Sequence, residues 1–210
     1  MNNYQWHQFP NIGFISSKFT DEQLQPIRDE IAKIKLNFDD AIPANDGLAG
    51  NIKQEYKLND CKSYVEKLMM PFIGSFDDEF DYYKEFGHLS KNNQIVLDDV
   101  WVNFQKKYEF NPWHKHDGFM SFVIWIDIPY IIEEEAIVAP GISSNSPLSG
   151  AFNFCYSTSL GKIATKSFSI TKESAGAMML FPSNFVHAVY PFYSSDGYRI
   201  SVAGNFKISV

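Results

Sequence analysis

From Gln94 onward the chain is written almost entirely as short apolar or alternating runs separated by turn residues: IVLDDVWVNFQ, FMSFVIWIDI, GAFNFCYS, KSFSIT, GAMMLFP and YRISVAGNFKI. Such spacing predicts an antiparallel sandwich or barrel. The side chains agree: aromatics reach 16% of the residues, led by 19 Phe and 11 Tyr, which suits pleated surfaces and a large apolar interior more than a long helical bundle.

The first 93 residues read differently. From Thr20, TDEQLQPIRDEIAKIKLNF opens with a Thr cap, a Gln three residues later and acids in the first turn. It then places Leu24, Ile27, Ile31, Ile34 and Phe38 at helical spacing, with Pro26 set to kink the helix early. A second helical region is predicted over Asn59 to Phe86, with Tyr64, Leu68 and Phe72 on one stripe and a division near Pro71 in MPFIG. Between the two lies IPANDGLAGNIKQEYKL, a loop rich in Gly and Asn. With 210 residues and 45% hydrophobic composition, the expectation is one domain over 1–210, mainly β with N-terminal helices. Residues 1–93 form its mostly helical elaboration and 94–210 its β core. The insert YIIEEEAIVAPGISSNSPLSG reads as a long surface loop whose acidic run is a solvated face.

A net charge of −7 offers no global positive field to a phosphate backbone or an anionic membrane, so neither nucleic acid nor membrane is expected as a partner. The segment MNNYQWHQFPNIGF has no basic or apolar leader pattern, and no apolar run approaches the roughly 20 residues of a membrane helix. A soluble, cytoplasmic protein is expected. Cys61 and Cys155 stand in unlike contexts and read as two buried thiols, with no CxxC pattern. The oligomeric state is left open.

The chemistry concentrates in NPWHKHDGF, which holds two of the chain's five histidines. Side chains alternate along a strand, so His114 and His116 point the same way and Trp113 and Lys115 the other. Asp117 faces away if the strand continues, although Asp117-Gly118 is a turn signal that can rotate the carboxylate back. Taken alone, the stretch reads equally as metal ligands or as solvent-exposed polar residues at a strand end. A second segment, GAMMLFPSNFVHAVYPFYSSDGYRISVAGNF, adds His187 and then Arg199, one of only two arginines in the chain. A lone His in FVHAVY is more often a satisfied core residue, and the alternative for Arg199 is an ordinary surface ion pair. Together with the HxH on another strand, both point to a site.

The order of these residues, with a His-x-acid position on an early strand, a distal His after FP, and an Arg with a Ser two residues on, resembles the Fe(II)- and 2-oxoglutarate-dependent oxygenases. WVNFQKKYEFNPWHKHDGFMSFVIWIDIP is similar to members encoded by phages and marine bacteria, LAGNIKQEYKL also resembles them, and the likeness runs from Leu48 to Phe206. The resemblance implies a double-stranded β-helix, the cupin-like jelly-roll, with helices packed on its major sheet. It also implies a facial iron site with open positions for 2-oxoglutarate and O2. His114 would be the proximal histidine and His187 the distal one. Arg199 would hold the distal carboxylate of 2-oxoglutarate with its planar fork, and Ser201, on the same strand face, would add a hydrogen bond. The implied activity is that of a dioxygenase, coupling decarboxylation of 2-oxoglutarate to succinate and CO2 with hydroxylation of an unidentified peptidyl or small-molecule prime substrate.

The departure is at the middle ligand, where the superfamily usually has Asp or Glu and this chain has His116. A three-histidine set is favoured because strand alternation already aims His116. Asp117 is the alternative ligand, and a His116 that stands behind the ligands without touching the metal, in an impaired site, is the third reading. Two rivals follow: a three-histidine cupin-type dioxygenase that uses no 2-oxoglutarate, and a catalytically inactive jelly-roll binding module. Asn103, Ser121 and Trp125 are weaker candidates for lining the pocket. Tyr198 and Phe206 read as core, Lys106 and Lys107 as a solvated strand end, and His7 and His88 as incidental. Substrate contacts are expected from the loop around Leu48 to Ile52 and from the long loop after Pro129.

Overall fold

A computed structural model describes residues 5, 11–87, 93–141, 143–145 and 147–209. His7 and His88 lie outside the described residues. Two antiparallel sheets face each other. The larger contains six strands in the order β1 (Ile15–Lys18), β8 (Ala177–Pro182), β5 (Met120–Asp127), β10 (Arg199–Ile208), β3 (Ile95–Gln105) and β2 (Glu55–Lys57). The smaller contains four: β4 (Asn111–His114), β9 (Val186–Val189), β6 (Ala151–Ser157) and β7 (Ile163–Ser169). This is the double-stranded β-helix, and the edge strands β1 and β2 come from the helical N-terminal region.

Period-two alternation divides the larger sheet between two interiors. Val100, Val102 and Phe104 of β3, Ile124 of β5, Leu180 of β8 and Val202 of β10 join one apolar cluster with Leu24, Ile27, Ile31, Val65, Met69, Ile73 and Phe76. Those helical residues come from α1 (Asp21–Leu36) and α2 (Lys62–Phe80), which therefore clad the outer face of the sheet. Val123, Trp125, Met179 and Phe181 turn the other way and pack with Phe152, Phe154 and Phe192 between the sheets. Both faces of the central strands are covered, which is why β5 reads as a nearly unbroken apolar run and not as a polar alternation.

Three local expectations are corrected. The second helical region does not divide near Pro71: α2 runs through it with Pro71 exposed, and the break comes at Asp81, whose left-handed φ of 49° ends α2 before α3 (Tyr82–Gly87). The insert after Pro129 contains a helix, α4 (Ile132–Val138). Its acidic run is not wholly solvated either, for Glu135 is 1% exposed and accepts hydrogen bonds from the backbone N–H groups of Tyr193 and Ser194 and from the Ser149 hydroxyl. α1 opens with the expected capping box, Thr20 with Gln23, and carries Pro26 within its length. Cys61 and Cys155 are free, the first buried and the second half-buried. No described helix is long and apolar enough to cross a membrane.

Candidate active site

His114 at the end of β4 stands directly opposite His187 on β9, and β9 in turn sets His187 opposite Phe154 of β6. His116 follows two residues after His114, where its N–H donates to Ser183 O at 2.9 Å and draws the chain back toward the start of β9. Gly118 completes that turn: its φ is +116°, and a Cβ there would come 2.7 Å from Phe206 O. The ring centroids of His114 and His187 lie 4.2 Å apart, and His116 lies 5.0 Å from the first and 5.1 Å from the second. One ligand nitrogen from each can be chosen so that all three fall within 4.8 Å of one another.

The backbone fixes which nitrogens face inward. His114 Nδ1 meets Pro112 O at 2.7 Å and His187 Nδ1 meets Phe185 O at 2.9 Å. A carbonyl can only accept, so each Nδ1 carries the proton and each Nε2 keeps its lone pair, the tautomer a metal requires. Burial disfavours the charged imidazolium in all three: the His187 pKa falls to about 3 and that of His116 to about 4, with the neighbouring His114 adding repulsion in each case, while His114 itself is shifted down. His187 is 4% exposed, with the rings of Phe181 and Phe152 at 5.0 and 5.5 Å. Asp117 is exposed and does not belong to this group of ligand atoms.

The histidines face a cavity of about 50 Å³ between the sheets. Its floor is a cross-strand row of the larger sheet in which Glu55 of β2 is opposite Asn103 of β3 and Asn103 is opposite Ser201 of β10. Asn103 is fully engaged, its amide donating to Ser201 Oγ at 3.2 Å and Ser201 O at 3.4 Å while its oxygen accepts from Trp101 Nε1 at 3.1 Å. Leu48, Ala49 and Ile52 of the Gly/Asn loop also line the cavity, whereas no described residue of the insert after Pro129 does. Trp125 and Ser121 do not: Trp125 packs against Phe152, and the Ser121 hydroxyl is shared with Ser183 and Asn205. Tyr198 and Phe206 pack in the helix-side cluster. Lys106 lies over the Tyr198 ring, and Lys107 pairs with Asp196 at 2.8 Å.

Arg199 occupies the next row, opposite Gln105, and is 2% exposed. All five of its N–H donors are used. Nε and one Nη2 hydrogen go to Gln105 Oε1 at 3.0 and 2.7 Å, the other Nη2 hydrogen to Tyr190 O at 2.8 Å, and Nη1 to Gly150 O at 2.8 Å and Tyr130 Oη at 3.1 Å. Arg199 does not itself line the cavity, whereas Gln105 and Ser201 do. Gln105 therefore sits against the guanidinium fork, its one amide oxygen taking both Nε and Nη2, and it presents itself to the cavity where Arg199 does not. Every acceptor is neutral, so a full charge is buried without a counter-ion among the described residues. Gln105, Tyr130 and Glu55 were not singled out in the sequence. The alternation that puts Ser201 on the face of Arg199 also puts Gln105 with Asn103, and it is the signal that finds Gln105.

Residues 99–205 match the model of a protein family described as "Putative 2OG-Fe(II) oxygenase". No curated protein matches the sequence. The fold is similar to that of a Pseudomonas putida prolyl-4-hydroxylase, with a TM-score of 0.58 at 12% identity over 93% of this chain and 92% of that one. It is similar to a viral collagen prolyl hydroxylase from Paramecium bursaria Chlorella virus-1 in its 2OG complex, with a TM-score of 0.53 at 13% identity over 94% and 96% of the two chains. It is also similar to HygX from Streptomyces hygroscopicus with nickel, 2-oxoglutarate and hygromycin B bound, with a TM-score of 0.55 at 12% identity over 93% and 83%. At these identities the likeness is one of fold.

Proposed function

The chain belongs to the 2OG-Fe(II) oxygenase family, and from that premise we propose that it holds iron(II) through His114, His116 and His187 and uses 2-oxoglutarate and O2 to hydroxylate a peptidyl or small-molecule substrate, releasing succinate and CO2. The observation that carries this reading is the convergence of three neutral imidazoles, two of them locked with Nε2 free, on one side of the cavity between the sheets. Three nitrogen donors, with no further ligand group beside them among the described residues, suit a first-row divalent metal and leave room for exchangeable ligands. Bound iron would supply oxygen activation; the protein supplies position, charge and exclusion of water.

The residues for the cosubstrate also fit. Ser201 Oγ accepts from Asn103 and has its own proton to donate into the cavity. Arg199 is a buried cation in want of an anion, and the distal carboxylate of 2-oxoglutarate would replace Gln105 Oε1 as the acceptor of Nε and Nη2. This unpaired guanidinium favours 2-oxoglutarate over the three-histidine dioxygenase that uses no keto acid. The whole of 1–210 acts as one unit in this reading, with β2 and the loop before it completing the cavity that the later strands form. The test is succinate release in air with Fe(II) and 2-oxoglutarate. Succinate that requires both, and that disappears in His187→Ala, is expected; its complete absence from iron-loaded protein would leave the rivals.

A further inference from the structure

One feature of the cavity serves neither the metal nor the cosubstrate. Glu55 is the only carboxylate among the described residues that line the cavity, and no lysine or arginine lines it. The residue is 3% exposed. Its Oε2 accepts the Asn45 side-chain amide at 3.0 Å, while Oε1, itself buried, has no hydrogen-bond partner among the described residues. A buried acceptor left unsatisfied is costly, and such groups are rare unless something fills them. Burial pushes the Glu55 acid up to about 7, with the Glu109 carboxylate adding repulsion.

The floor row is polarised. Near β10 it offers the Ser201 hydroxyl proton, and at its β2 end, once Glu55 is ionised, it offers only the carboxylate oxygen. 2-Oxoglutarate, anionic at both ends, suits the first and is repelled by the second. The free oxygen is therefore left for the other occupant of the cavity. Glu55 also lies outside residues 99–205, the part common to the family, on a strand that the preceding loop brings in. That loop is tied to it, since the Asn45 amide bridges Glu55 and Ile52 O, and it lays the apolar side chains of Leu48, Ala49 and Ile52 against the same space.

We propose that Glu55 selects the prime substrate through its free carboxylate oxygen, and that this substrate presents a protonated amine or guanidinium on an aliphatic stem, an inference that rests on the reading of the site given above. The stem lies against the apolar loop, and the cationic head meets Oε1 as a charge-assisted hydrogen bond in a site poor in water.

The test compares n-butylammonium with 1-butanol as matched probes, followed by ligand-detected NMR on protein loaded with Zn(II) in place of iron and with 2-oxoglutarate. Wild type is expected to bind the ammonium at least tenfold more tightly than the alcohol. Glu55→Gln keeps the contact to Asn45 and should bring the ratio close to one, and Glu55→Asp, which keeps the charge, should retain part of the preference. A ratio near one in wild type, or a preference that survives Glu55→Gln, would overturn the proposal. So would a Glu55→Gln protein whose 2-oxoglutarate affinity drops tenfold, because Glu55 would then belong to the cosubstrate. Whether iron(II) protein forms a visible complex with 2-oxoglutarate is read separately; its failure in wild type would count against the function proposed above, while the probe ratio still decides this point.

Discussion

Replacing Arg199 by Ala removes five N–H donors from a site that is 2% exposed. The acceptors left behind are Gln105 Oε1, Tyr130 Oη and the carbonyls of Gly150 and Tyr190. Hydrogen bonds to charged groups contribute about 1.5–3 kcal/mol each, but five of these cannot simply be added, because the buried charge and its desolvation penalty leave together. Breaking a buried charged network by removing one side typically costs about 3–5 kcal/mol, a large part of a total stability of roughly 5–15 kcal/mol. At about 2–4 °C per kcal/mol for a protein of this size, the melting temperature should fall by roughly 6–20 °C. Thermal unfolding without metal or cosubstrate measures this directly. Arg199→Lys should fall between, since the charge survives and the planar fork does not. In Fe(II)-loaded protein at low temperature, both variants should bind 2-oxoglutarate more weakly, Arg199→Ala the more so. A melting temperature within about 2 °C of wild type in Arg199→Ala would refute the structural argument, since a guanidinium woven into the strand ends cannot be deleted so cheaply.

Three shorter predictions accompany it. His116→Ala should abolish stoichiometric Fe(II) binding and Asp117→Ala should leave it nearly intact; the reverse ranking in a metal titration would make the exposed carboxylate the ligand. With folded pKa values pushed down to about 4 for His116 and about 3 for His187 against an ordinary value near 6.5, the unfolded chain binds protons that the folded chain refuses. The histidines' contribution to metal-free stability should therefore be full above about pH 6.5 and decline as pH falls toward 3, partly offset by Glu55, whose raised acid pKa favours the folded state as pH falls from about 7 toward 4.5; His187→Phe should flatten the decline in melts taken across the range. Glu135→Ala leaves the N–H groups of Tyr193 and Ser194 unpaired and should cost about 2–4 kcal/mol in chemical denaturation.

The core strands were legible because covered β-sheet writes itself as short β-branched and aromatic runs, and β3, β5 and β10 coincide with such runs to within a few residues. The histidines were legible by residue type, but their meeting depends on β4 pairing with β9, and alternation alone does not explain His116, which lies beyond the end of β4. What the sequence concealed was set by tertiary pairing. Glu55 sits in NIKQEYKL, a polar stretch whose three-residue strand becomes a strand only by adding to the edge of β3, and nothing local says which of its side chains faces inward. Pro71 reads as a break because proline removes a helical hydrogen bond; with its ring in solvent and the helix held down by Val65, Met69, Ile73 and Phe76, packing outweighs that loss. Glu135 read as solvated from its acidic neighbours, yet the turn at Tyr193 and Ser194 needed an acceptor and the fold delivered one.

If the three histidines and the cavity behind them bind iron and 2-oxoglutarate together, anaerobic titration of Fe(II) protein with 2-oxoglutarate will report both at once. A visible charge-transfer band that saturates at one equivalent, is lost in His187→Ala and is weakened in Arg199→Lys is the predicted result. Stoichiometric Fe(II) binding with no such band at any 2-oxoglutarate concentration would contradict it.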